Sequence, residues 1–449
     1  MSCWAKNEVG YMHFKDRRLE KRCAILLEAL GKKSEASVPR ACQSKAATKA
    51  AYRFFDNNRV DVNELREGFF DATIDRIKEH KLALILSDST NIVYSSHKSL
   101  KGIGVLRNFK ARGLNKHSAF VVTPDEQPLG LLYQKIWGKK PEDYGKRLER
   151  KMLPFEQRES FNWVECLLHV SKKFPSETRG IFIGDRGADL YELFLAKRPP
   201  NIDLLVRSSF NRKLKNEKKL FDMLLDLPIA GNMDVEVGRG PNTPKRIARC
   251  SISFSQIQLS NKTKTTIKSP NLNVVYVKEE NLKNITNPIE WRLFTTISIK
   301  SLEDAIQCVR WYALRWLIER FHFTLKSGCK IQDLQLEEAD RIERAITLYS
   351  IIAWRIMFIT YSGRTDPDSP CSKILNTYEW KALYCFINKS QNFPTKPPTT
   401  KSAIGMLAML GGFLGRKSDK DPGLKVIWQG LSRLNDITEA YEIFNKRCG

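Results

Sequence analysis

The spacing of apolar positions changes three times along the chain, and each change predicts a different kind of element. Over the first 60 residues they recur at helical intervals. One amphipathic block opens at Asp16 and runs through Arg17, Arg18, Lys21 and Arg22 to Leu30, with Gly31 as its expected stop. A second follows Pro39-Arg40 and reads Lys45, Ala46, Ala47, Lys49, Ala50, Ala51, Tyr52, Arg53, Phe54, Phe55, a basic edge beside an aromatic one. From Leu82 the apolar residues become continuous, predicting a buried strand that closes at Ser87-Asp88. Residues 119–123 and 129–137 predict two more strands around a turn at Pro124-Asp125. Helical spacing returns over 161–174. Another apolar strand then ends in Asp185, followed by a helix over 189–197 and a strand over 203–207. Strands alternating with helices make this an α/β core.

Between about 210 and 290 the pattern shortens to alternating runs, as in Asp234-Val235-Glu236-Val237, which predicts a β-rich insertion. Helices resume at Ser301 and continue past Tyr361. Proline breaks at Pro367 to Pro370 and around Pro394 to Pro398 mark off the last helical part. The expected organisation is a helical module over 1–70, a catalytic α/β core over 71–365 carrying the insertion, and a helical region over 366–449.

Charge narrows the partners. The chain holds 75 Lys and Arg against 50 Asp and Glu, a net charge of +25 and a pI near 9.6. The excess concentrates in the first 60 residues (13 basic against 6 acidic) and in the insertion, where 208–270 carries 12 against 5. Such a surface attracts polyanions, nucleic acid first. The first 14 residues lack an apolar leader segment, so export is not expected. The longest apolar run, 403–414, is too short and glycine-rich for a membrane span, so no membrane association is expected either. Ten cysteines without a C-x-x-C pair, with only six histidines, fit neither a zinc module nor a disulfide framework. Free thiols in a reducing cytoplasm are expected. Any metal would have to be held by carboxylates.

Three carboxylates are candidates. Asp88 and Asp185 each close an apolar strand, the edge at which open α/β sheets bind ligands. At 100° per residue, Tyr312, Arg315, Glu319, His322 and Lys326 fall within an ~80° arc of one helix. Leu314, Leu317, Ile318, Phe321 and Leu325 form the opposite, core-facing stripe. A solvated polar face with an Arg315–Glu319 pair would read the same way. Two aspartates and a glutamate together can hold two Mg²⁺ or Mn²⁺ ions, and the adjacent Arg and Lys can bind phosphate oxygens.

The spacing Tyr312-x₂-Arg315-x₃-Glu319-x₆-Lys326 resembles the Y-R-E-K motif of the DDE insertion-sequence transposases of the IS-four group, to which the transposon Tn-five enzyme belongs. Asp88-Ser89-Thr90, Asp185-Arg186-x-x-Asp189 and Leu205-Val206-Arg207-Ser208 resemble the blocks around the first two aspartates. Trp4-Ala5, the stretch from Asp16 to Arg22, and Ser44-Lys45-Ala46-Ala47 with Ala51-Tyr52-Arg53-Phe54 resemble the end-recognition region. Leu410-Gly411-Gly412-Phe413 resembles a C-terminal segment. The resemblance implies an RNase H-like catalytic core flanked by helical regions, with Asp88, Asp185 and Glu319 as ligands of two Mg²⁺ (or Mn²⁺) ions. It implies cut-and-paste transposition through a DNA hairpin, on transposon-end inverted repeats and target DNA, by a homodimer in the cytoplasm. Tyr312, Arg315, Lys326, Arg207 and Arg186 would then bind DNA near the scissile phosphate. Trp291 would stack on a flipped base, and Lys45, Arg53 and Arg22 would contact the end. The chain departs from the pattern at Gly187, Ser209 and Phe323, where the relative carries charged residues. The stripe from Trp428 to Leu434 is compatible with pairing of two subunits. Two other readings remain open: a catalytically silent DNA-binding regulator derived from such an enzyme, and a two-metal nuclease that does not join strands.

Overall fold

The computed structural model describes residues 3–106, 111–143, 149, 152–238, 245–260, 270–280, 285, 287–416 and 419–446. These fold as two bodies, one of residues 1–76, 89–145 and 319–449, the other of 77–88 and 146–318. Among the described residues the strands are β1 (Leu82–Val93), β2 (Gly104–Val105), β3 (Arg112–Val122), β4 (Pro128–Trp137), β5 (Arg179–Gly184), β6 (Ile202–Arg207), β7 (Gly231–Val237), β8 (Arg246–Gln258), β9 (Asn271–Glu279) and β10 (Glu290–Thr295).

In the second body, β1 pairs in parallel with β5, and β5 with β6. Where these strands pair in parallel, over 82–86, 180–184 and 202–206, they are mostly apolar and buried, as parallel strands covered on both faces must be. From β6 the sheet continues antiparallel through β10, β9, β8 and β7. The last three are the β-rich insertion; within it 239–244, 261–269, 281–284 and 286 lie outside the described residues. The helix Leu302–Ala313 packs on β7, β8 and β9. Its start is fixed by a capping box between Ser301 and Asp304.

The first body holds the N-terminal helices, the antiparallel strands β2, β3 and β4, and the C-terminal helices. Asp16 and Ser44 cap the helices Arg17–Lys32 and Lys45–Asp56 with their side chains. The second of these buries Ala51, Phe54 and Phe55 and leaves Lys45, Lys49 and Arg53 exposed, the expected division of its faces. The helix Ala339–Thr365 is long and apolar enough to cross a membrane by length and composition, but 89% of its apolar window is buried in protein, as in a core helix. Eight cysteines are free and none of the described residues forms a disulfide.

Several expectations need correction. Gly31 does not stop its helix, which runs to Lys32; a Cβ at Gly31 would meet Trp4 Cζ2 at 2.7 Å, so the glycine serves close packing. Asp88 does not close β1, which continues to Val93; what ends near Asp88 is the partner strand β5. The single helix expected through 312–326 is three pieces. The helix Leu302–Ala313 gives way at Leu314-Arg315 to bonds of the i→i−3 kind (Arg315 N–H to Tyr312 O, 3.0 Å). An α-helix follows over Trp316–Phe323, then a π-helical turn over Thr324–Gly328. The stripe at Trp428 and Leu434 is no free face: Trp428 is 4% exposed and Leu434 2%, packed into the chain's own core. Apolar exposure on that last helix lies instead at Ile443 and Phe444.

Candidate active site and nucleic-acid interface

The site in the second body is built by strand register. The last matched pair of β1 and β5 is Leu86 with Ile183. Asp88 and Asp185 each lie two residues further on. Side chains alternate along a strand, so both carboxylates emerge on one side of the sheet, on strands ~4.8 Å apart. Asp185 also caps the short 3₁₀ turn Arg186–Ala188, its Oδ1 accepting from Gly187 N–H at 2.7 Å. A Cβ at Gly187 would come within 3.1 Å of that oxygen and 3.0 Å of the Trp163 ring. A side chain at 187 would need these neighbours to give by a few tenths of an ångström.

Cationic groups surround the pair. Arg315 Nη1 donates to Asp88 Oδ2 at 3.3 Å, both side chains being largely shielded from solvent. Tyr312 is 4% exposed; burial raises its phenol above the ordinary value, with Arg315 and Arg207 opposing and Asp185 adding to the rise. Arg207, half-buried at the end of β6, interacts with that phenol and donates to Glu290 O at 3.0 Å. Burial lowers its guanidinium pKa, Tyr312 partly offsetting this. Trp291 on β10 meets the Tyr312 ring edge-on, centroids 5.1 Å apart. Arg186 is exposed beside Asp185.

Five of the expected residues (Asp88, Asp185, Arg207, Tyr312 and Arg315) thus share one neighbourhood, with Trp291 and Arg186 at its border. Glu319 is exposed on the helix Trp316–Phe323, and Lys326 lies on the π turn. Among the described residues no group of three or more His, Cys, Asp or Glu side chains is gathered closely enough to hold a metal ion. By donor chemistry the two aspartates offer the carboxylate oxygens that a hard divalent cation prefers.

A second feature lies in the first body. An open groove of about 650 Å³ is lined by Ser44, Lys45, Thr48, Lys49, Tyr52, Arg53 and Arg341. Lys45, Lys49 and Arg53 follow one another at four-residue steps along the exposed helix face. Arg341 Nη2 reaches Asp56 Oδ1 at 2.5 Å. Arg22 is not part of this lining; it sits half-buried on its helix, close enough to the Cys42 thiol to lower its pKa against burial. Sequence reasoning missed Arg341, because nothing in the pattern links it to a helix nearly 300 residues earlier.

Comparison with known proteins gives three family matches. Residues 1–60 match a transposase DNA-binding model, 169–355 a transposase DDE domain, and 351–444 the transposase Tn5 dimerisation domain. Among solved structures, a cryo-EM structure of the piggyBac transposase synaptic complex with hairpin DNA aligns at 9% identity and TM-score 0.35, covering 99% of this chain and 73% of that one.

Proposed function

Since the chain belongs to the Tn5-like DDE transposases, carrying their DNA-binding, catalytic and dimerisation domains in order, we propose that it is a cut-and-paste enzyme acting on the inverted repeats at transposon ends. In this reading Asp88, Asp185 and Glu319 would hold two Mg²⁺ or Mn²⁺ ions once brought together. When bound, the ions would polarise the scissile phosphate and favour ionisation of the attacking oxygen. Two copies of the chain would pair on two ends, acting on DNA in the cytoplasm.

The observation that carries the reading is the matched level of Asp88 and Asp185 on adjacent parallel strands, with Arg315, Tyr312 and Arg207 beside them. The arginines would bind non-bridging phosphate oxygens by charge-assisted hydrogen bonds, with Lys326 and Arg186 adding to the grip. A phosphate arriving at Arg315 would compete with Asp88 for the guanidinium and free a carboxylate oxygen for ligation. Water would nick the end, and the 3′-hydroxyl so released would attack the opposite strand, leaving a hairpin that is reopened and joined to target DNA. Trp291, edge-on to Tyr312, offers a face for a base unstacked at that hairpin.

Asp88→Asn, Asp185→Asn and Glu319→Gln should each abolish nicking and strand joining of an end duplex in Mg²⁺ while leaving gel-shift affinity within a few-fold. Wild-type cleavage in any of the three would remove that residue from the site. Joining of pre-cleaved ends to a plasmid distinguishes a transposase from a nuclease that stops at cleavage.

A further inference from the structure

Lys326 sits on the π-helical turn Thr324–Gly328. Such a turn carries more residues per loop than an α-helix and has poorer internal bonding, so neighbours must hold it. Within the segment, Cys329 N–H donates to Thr324 O at 2.9 Å. From the N-terminal module the buried Ser34 hydroxyl donates to Gly328 O at 3.0 Å. From the last helix, Leu424–Lys446, the Trp428 indole fills the space above Gly328, where a Cβ would stand 2.8 Å from its six-membered ring. The same indole packs on Phe323, with ring centroids 5.7 Å apart. Lys33 pairs with Asp436 at 2.9 Å and Gln43 bonds to Glu439 at 3.3 Å, so the last helix is also tied to the N-terminal module.

We propose that Ser34 and Trp428 are positioning residues for Lys326. Neither offers a group to DNA in this arrangement, since both are buried at about 5% exposure or less. Each fixes one side of Gly328, two residues beyond Lys326, and so sets where the ammonium group is presented. Ser34 lies in the segment matching the DNA-binding model and Trp428 in the segment matching the dimerisation domain. The grip of Lys326 on phosphate therefore depends on both modules being seated. The inference rests on the reading of Lys326 as a phosphate ligand.

The test uses the full chain, an end duplex and Mg²⁺, reading single-turnover nicking rate and gel-shift affinity separately. Gly328→Ala drives a methyl group into the indole and should slow nicking ~10- to 100-fold while affinity changes less than about threefold. Trp428→Leu in the same chain makes room and should restore most of the rate. Ser34→Ala, a milder change that keeps the core filled, should slow nicking several-fold. The deciding measurement is a double-mutant cycle: in a Lys326→Ala background, neither Gly328→Ala nor Ser34→Ala should slow nicking further. Full additivity of the losses would overturn the inference while sparing the role of Lys326. An unimpaired Lys326→Ala enzyme would overturn that role and the inference with it. If Gly328→Ala fails to fold, the Ser34→Ala cycle decides alone.

Discussion

His117 stands on β3 with its Nδ1 2.6 Å from the Ser89 hydroxyl and its ring edge-on to Tyr133, wholly removed from solvent. Burial, reinforced by Lys116 and Lys135, pushes its pKa from 6.5 down to about 3. A depressed pKa means that the unfolded chain takes up the proton first as pH falls. The stability contributed by neutral His117 is therefore complete above pH ~6.5 and lost progressively toward about 3, at on the order of 1.4 kcal/mol per pH unit. Urea unfolding at stepped pH should show this slope, and His117→Gln, which can keep a bond to Ser89, should flatten it. Equal slopes in the two proteins would refute the assignment. The neighbouring Lys116 is wholly buried over the Phe321 ring, and burial, with Arg66 and Lys326, lowers its pKa well below the ordinary lysine value. Counted as a charge in the sequence, it adds nothing to the surface available for DNA.

Among elements, the strands and helices with a single dominant period were legible in the chain itself. The apolar runs at Leu82 and Gly180, the amphipathic block from Lys45 and the alternation after Gly231 all correspond to observed elements. What was not legible was set by distant partners. The polar residues from Ser87 to Asn91 read as a strand end, yet β1 continues through them; the carboxyl edge near Asp88 is created by the termination of β5, which no local pattern on β1 records. The arc from Tyr312 to Lys326 assumed a uniform helix, and the turn at Leu314-Arg315 contains neither glycine nor proline to announce it. Gly31 shows the same lesson in a form that can be measured. An alanine inside a helix normally gains up to ~1 kcal/mol over glycine, but here its Cβ would collide with Trp4. Gly31→Ala should therefore destabilise, by about 1–3 kcal/mol for an overpacked site, and Trp4→Leu in the same chain should recover part of the loss in chemical denaturation. A stabilised Gly31→Ala protein would refute the close-packing role of Gly31.

Over the whole molecule, the charge of +25 acts where it is exposed and aligned. The groove beside the helix Lys45–Asp56 places Lys45, Lys49 and Arg53 along one face, with Arg341 contributed by a helix from the far end of the chain. If this groove tracks the phosphates of an end duplex, binding releases counterions, and log K falls linearly with log salt at ~0.9 per phosphate neutralised. Lys49→Ala should weaken end binding and reduce that slope by about 1, alike on specific and unrelated sequence. Arg341 is held by Asp56, so its charge is partly neutralised before DNA arrives. Arg341→Ala should accordingly change the slope by less than Lys49→Ala does. Titrations of a labelled end duplex between low and moderate salt give both slopes. An affinity for DNA that scarcely responds to salt, or a Lys49→Ala slope equal to that of the unaltered chain, would take the groove out of the DNA path.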